Sequence, residues 1–66
     1  MASKRFPMRL KQLREAKGWS QARLAEEVGV TREYIARLET GRHDPPLSRV
    51  EKLANALKVP IGKLLR

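Results

Sequence analysis

Cysteine is absent from this chain. That removes disulfides and thiolate metal sites and is compatible with a reducing cytosol. Histidine occurs once, as His43, and with no second His or Cys beside it no metal or cofactor is expected. Aromatics are scarce, with one Phe, one Trp and one Tyr, too few for a platform that stacks single-stranded bases. No apolar run approaches the roughly 20 residues of a membrane-spanning helix. The start, Met1-Ala2-Ser3-Lys4-Arg5, is basic, lacks an apolar signal core and reads as a short flexible arm over residues 1–5. Acidic residues are the last shortage: 7 Asp and Glu face 15 Lys and Arg, a formal charge of +8 on 66 residues. Such an excess points to a polyanionic partner, nucleic acid first and an anionic membrane second. A domain this small buries about 60% of its unfolded surface, enough for a helical core and too little for a deep substrate cavity. With no Gly-rich phosphate loop and no paired-carboxylate cleft, the chain does not read as an enzyme, and no small-molecule ligand is evident.

What is present is apolar spacing of helical period from end to end. Phe6, Leu10 and Leu13 line one face of a first helix, with Pro7 suited to its first turn and Gly18 to its end. Ser20 caps a second helix, whose inner face is Leu24, Ala25 and Val28; Gly29 ends it and supplies the left-handed residue of a sharp turn. Thr31 caps a third helix, with Ile35 and Leu38 inward, and Gly41 stops it. Residues 42–46, with two adjacent prolines, are a loop. A fourth helix carries Leu47, Val50, Leu53, Ala54 and Leu57. Its start is open: Ser48 and Glu51 fit a capping box, while Leu47 already fits the apolar stripe. Pro60 opens a last short helix with Ile61, Leu64 and Leu65. The expectation is all-α: five helices around one core over residues 6–66, with no repeat and no second domain.

The segment Gly18–Gly41, GWSQARLAEEVGVTREYIARLETG, carries the chemistry. It reads as two short helices joined by a tight turn at Val28-Gly29-Val30. The outer side of the third helix presents Arg32, Glu33, Tyr34 and Arg37. Arg pairs with the two acceptors of guanine, Glu accepts from the cytosine amino group, and Tyr packs on a thymine methyl or bonds a phosphate. Two of these have plain alternatives. Glu33 and Arg37, four apart with Glu first, also suit an ordinary surface ion pair, and Tyr34 also suits half-buried packing. Phosphate contacts are expected from Ser20 and Gln21 at the start of the second helix, whose unpaired N–H groups favour an anion, and from Thr40, Arg42 and His43 after the third. Trp19, just before a cap, reads as core packing that staples the helix entry rather than as a stacking platform.

On Ser20-Gln21, Leu24-Ala25, Val28-Gly29-Val30 and Ile35-x-x-Leu38-Glu39-x-Gly41, the chain resembles the Cro/CI-type (Xre, lambda-repressor-like) helix-turn-helix family. The likeness runs from about Phe6 to Leu65, with LKQLREAKG before the motif and LSRVEKLANALKVP after it. The resemblance implies a compact five-helix DNA-binding domain in which helices 2 and 3 form the helix-turn-helix. It implies that Gln21 bonds a phosphate and braces Arg32, that Arg32, Glu33 and Arg37 read bases, and that Thr40 contacts the backbone. It also implies a largely buried salt bridge between Arg14 and Glu39, structural in role. Pro45-Pro46 stands where relatives carry Pro-Ser, and Pro60 where many carry a capping Ser.

The function expected is that of a sequence-specific double-stranded DNA-binding regulator, repressor-like and cytoplasmic, of prokaryotic or phage type and associated with the nucleoid. It would act as a homodimer on a two-fold operator with half-sites about 34–36 Å apart. Leu57, Ile61, Leu64 and Leu65 offer more apolar side chains than a short last helix needs and are assigned to the dimer surface. The alternative is a protein-binding module such as an antitoxin-type adaptor. The sequence also leaves open a DNA-binding domain cut from a longer regulator.

Overall fold

Four left-handed or glycine-marked stops divide the helical chain. The computed structural model describes residues 4–65, and among these the elements are α1 (Phe6–Ala16), α2 (Gln21–Val28), α3 (Arg32–Glu39), α4 (Leu47–Leu57) and α5 (Gly62–Leu65), with no strand. Of the expected N-terminal arm, residues 1–3 lie outside the described residues. Lys4 and Arg5 form a turn that runs straight into α1, Arg5 already having helical backbone (φ −86°, ψ −9°).

The helices start and stop for local reasons. Ser20 Oγ accepts from the Arg23 N–H at 3.0 Å, and Thr31 Oγ1 accepts from the Tyr34 N–H at 3.1 Å. Each cap satisfies one N–H that the first turn leaves without a partner. Between the two helices Gly29 takes φ +86°, and the N–H groups of Gly29 and Val30 both bond the Ala25 carbonyl. A Cβ at Gly29 would meet nothing within 4 Å. The demand for glycine there comes from the backbone angle alone. α4 also ends on a left-handed residue, with Lys58 N–H bonding Asn55 O and Val59 N–H bonding Ala54 O, but here it is lysine at φ +57°. At its other end α4 starts at Leu47 behind Pro46 with no side-chain cap, so Ser48 and Glu51 do not form the capping box. The fixed φ of Pro46 sets the entry angle instead.

The core joins all five helices: Phe6 and Leu10 from α1, Leu24 and Ala25 from α2, Ile35 and Leu38 from α3, Val50, Leu53, Ala54 and Leu57 from α4, and Leu64 from α5. Leu13, Trp19 and Val28 pack against its edge. α3 sits on α1 and α2, and α5 bridges α1 and α4. This corrects one sequence expectation. Leu57 and Leu64, assigned to a dimer surface, are 2% and 0% exposed. α5 is only four residues long, and Leu64 is its single buried anchor. The surplus of apolar side chains read from sequence is therefore used up by the domain's own packing. Ile61 and Leu65 remain half-buried at the edge.

Candidate nucleic-acid interface

The outer face of α3 is set by which of its residues the core consumes. With Ile35 and Leu38 fully buried, the helix turns Arg32, Glu33 and Arg37 to solvent, followed by Thr40 at its C-cap. Arg42 and His43 continue as exposed residues beyond Gly41. The tight turn at Gly29 places the N-terminus of α2 beside this face.

Underneath runs a chain of polar contacts. Arg14 Nε donates to Glu39 Oε2 at 2.7 Å and Arg14 Nη2 to Glu39 Oε1 at 3.1 Å, a two-point pairing between α1 and α3. Arg14 Nη1 also donates to the Trp19 carbonyl at 2.6 Å. Only 9% of the Arg14 side chain and 3% of the Glu39 side chain are exposed. The hydrogen bond to Glu39 raises the Arg14 pKa above its ordinary value, against the opposing effect of burial. The guanidinium stays charged at any pH the fold meets. Glu39 Oε1 accepts a further bond, from Gln21 Nε2 at 3.1 Å, and Gln21 Oε1 in turn accepts from Arg32 Nη1 at 3.4 Å. A buried ion pair is thus connected through one amide to an exposed arginine on the outer face.

Arg32 is held on its other side by Glu33, with Nη2 to Oε2 at 3.6 Å. Glu33 makes this contact rather than the pair with Arg37 that the spacing suggests. Both partners are more than half exposed, so the contact orients more than it stabilises. Arg37, in contrast, has no ion pair among the described residues and is exposed on α3.

The remaining candidate residues divide by what they already touch. Ser20 spends its oxygen as a cap acceptor and keeps its O–H. Thr40 Oγ1 donates to the Arg37 carbonyl at 3.2 Å. Tyr34 is half-buried, meets the His43 ring edge-to-face at 5.1 Å and lies under the Arg49 guanidinium at 5.1 Å. Trp19 packs against the core and carries two cations on its ring, Lys17 at 4.9 Å and Arg23 at 4.8 Å. Sequence reasoning missed Arg49. It lies 15 residues beyond Tyr34 on another helix, and no periodic signal links positions across an intervening loop.

No group of three or more metal-ligating side chains occurs among the described residues, and no helix there is long and apolar enough to cross a membrane. The surface next to the α2 N-terminus is an open depression of about 390 Å³ between Ser20, Arg23, Glu26, Val30 and Arg32, shallow rather than enclosed.

Residues 10–64 match the model of a helix-turn-helix family, HTH_3. The chain is 41% identical over 61 residues to YonR, an SPbeta prophage-derived HTH-type transcriptional regulator of Bacillus subtilis, covering 92% of this chain and 56% of YonR. The chain spans about half the length, or less, of the first curated relatives it matches. Its fold is similar to that of the restriction-modification controller protein C.AhdI of Aeromonas hydrophila, with TM-score 0.88, 40% identity, and coverage of 91% of this chain and 87% of C.AhdI. It is also similar to SinR, the master regulator for biofilm formation, solved in complex with DNA: TM-score 0.87, 34% identity, 92% of this chain and 98% of that one.

Proposed function

Because the chain belongs to the HTH_3 helix-turn-helix family, we propose that it is a sequence-specific, double-stranded DNA-binding regulator of transcription. α3 enters the major groove, Arg32 and Arg37 read bases, and Ser20, Gln21, Thr40, Arg42 and His43 lie along the flanking phosphates. The observation that carries this reading is the bracing of Arg32. A guanidinium on an exposed helix face, tied through Gln21 to a buried ion pair, is pre-organised for a planar two-acceptor target such as guanine. Glu33 completes the face, either as an acceptor for cytosine or as the orienting partner of Arg32. The solved DNA complex of SinR, a protein of the same fold, supports the reading.

The reading extends to a homodimer on a two-fold operator, each α3 entering successive major grooves one helical turn apart. Ile61 and Leu65, half-buried at one edge, support a self-association surface smaller than the sequence alone suggests. A cytoplasmic location in a bacterial or phage-type setting goes with it, and the regulation is repressor-like.

Selection from a pool of random duplexes tests it, followed by affinity measurement across a salt series. The expected result is one enriched motif and a steep loss of affinity with salt, from about four to six phosphate contacts per protomer. A pool that returns no motif, together with an acidic protein that co-purifies at fixed stoichiometry, would favour a protein-binding module instead.

A further inference from the structure

We propose that Tyr34 is a positioning residue whose ring holds Arg49 of α4 and His43 of the preceding loop against α3. The DNA-facing surface then extends onto α4. The inference rests on the DNA-binding reading above and adds Arg49 to the residues that contact phosphate.

The argument starts from the geometry of α3. At about 100° per residue, Arg32, Ala36, Thr40, Glu33 and Arg37 sweep roughly 140° of the helix surface. Gln21 closes one edge of that arc by bonding Arg32. Tyr34 falls about 60° beyond Arg37, at the opposite edge, where the exposed face meets the core. It is half-buried there, and its two ring neighbours come from beyond α3: His43 from the loop and Arg49 from the first turn of α4. Tyr34, His43 and Arg49 therefore form a strip that continues the outer face across the loop toward α4.

The chemistry of the strip separates it from an ordinary surface contact. Among the described residues Arg49 has no carboxylate partner. A guanidinium held by the face of a ring keeps its full charge and its N–H donors for another acceptor. A guanidinium held by a carboxylate, as Arg14 is, has both committed. Tyr34 already carries both neighbours on its ring, and its contribution runs through the cation beside it.

Three variants test this: Tyr34→Leu, Tyr34→Phe and Arg49→Gln, with the double variant Tyr34→Leu/Arg49→Gln. Each is measured for thermal unfolding, for affinity to the duplex that the unvaried chain selects, and for selection from the random pool. Losing one phosphate contact lowers the salt slope by about 0.9, which extrapolates to a roughly fivefold weaker complex at about 0.15 M salt. Arg49→Gln is expected to show that loss, and Tyr34→Leu a loss in the same direction. Tyr34→Phe keeps the ring and stays within twofold of the unvaried chain. The double variant loses less than the sum of the two single losses, because both remove the Arg49 contact. The selected motif stays the same in all four. A motif that changes at one base in Tyr34→Leu makes Tyr34 a base reader and overturns the proposal. So do losses that add in the double variant, or affinities that Arg49→Gln leaves unmoved. If the unvaried chain binds no duplex, the DNA-binding reading itself fails, a result that none of the variants can mimic.

Discussion

Replacing Glu39 with alanine isolates the energetic centre of the domain. The substitution leaves the Arg14 guanidinium, with a side chain only 9% exposed, facing a space where two charge-assisted hydrogen bonds had been. It also removes the acceptor of Gln21 Nε2. Both ion-pair partners are nearly buried, so solvent screening offsets little of the loss. Breaking one side of a buried pair costs about 3–5 kcal/mol. For a chain of 66 residues, total stability of roughly 0.05–0.15 kcal/mol per residue comes to about 3–10 kcal/mol. Glu39→Ala is therefore expected to consume most of the stability and to leave a measurable unfolded fraction in buffer. Urea unfolding followed by far-UV circular dichroism reads the change. Removing the second charge as well, in Arg14→Met/Glu39→Leu, is expected to restore most of the loss, since an apolar pair of similar volume avoids the desolvation cost. A Glu39→Ala loss of less than about 1 kcal/mol in unfolding free energy would mean the pair behaves as a surface contact, and the argument from burial would be wrong. A double variant no more stable than the single one would refute it equally.

Other substitutions test the local geometry. Gly29→Ala places a Cβ in open space but in a left-handed backbone, so a loss of about 1–2 kcal/mol is expected, from the angle alone. Lys58→Gly relieves the same angle at the end of α4 and is expected to stabilise by about 0.5–1 kcal/mol; at roughly 4–8 °C per kcal/mol for a domain of this size, a differential scan resolves the gain. Arg37→Ala is expected to relax preference at one base position, with discrimination falling by about 1–3 kcal/mol in competition with single-site operator variants. Arg42→Ala is expected to weaken all duplexes alike and to lower the salt slope by about 0.9; a change of motif would move Arg42 among the base readers.

The sequence was most informative where one residue dictates local backbone. Ser20, Thr31 and Gly29 fix the turn between α2 and α3 by themselves, and their roles are legible without tertiary context. The apolar stripe likewise identifies Phe6, Leu10, Leu24, Ile35, Leu38 and Val50 as core. It says less about where a stripe stops being core. Leu57 and Leu64 look surplus until α5 is seen to be a single turn that needs Leu64 as its anchor. Side-chain partners were read least well. Glu33 suits Arg37 by helical spacing, yet Arg32 takes it, since Gln21 already holds that guanidinium within reach. Tyr34 and Arg49 meet only because the loop brings the first turn of α4 back to the Tyr34 ring, a juxtaposition with no sequence period. The Arg14–Glu39 pairing was accessible through family likeness alone, because nothing in a separation of 25 residues marks two charges as neighbours.

The unequal tethering of the two outward arginines has a thermodynamic consequence. Arg32 is contacted from two directions before any partner arrives, whereas Arg37 has no ion pair among the described residues. A long side chain forfeits up to about 1.5–2 kcal/mol of TΔS when it is fixed. On docking, the one at the start of α3 is expected to forfeit less of it than the one a turn later. If the two arginines read bases as proposed, base pairs under the first are expected to tolerate less variation. Those under the second are expected to meet a more adaptable side chain that can settle on more than one step. Degeneracy in the recognised site should accordingly be concentrated beneath the C-terminal half of the helix.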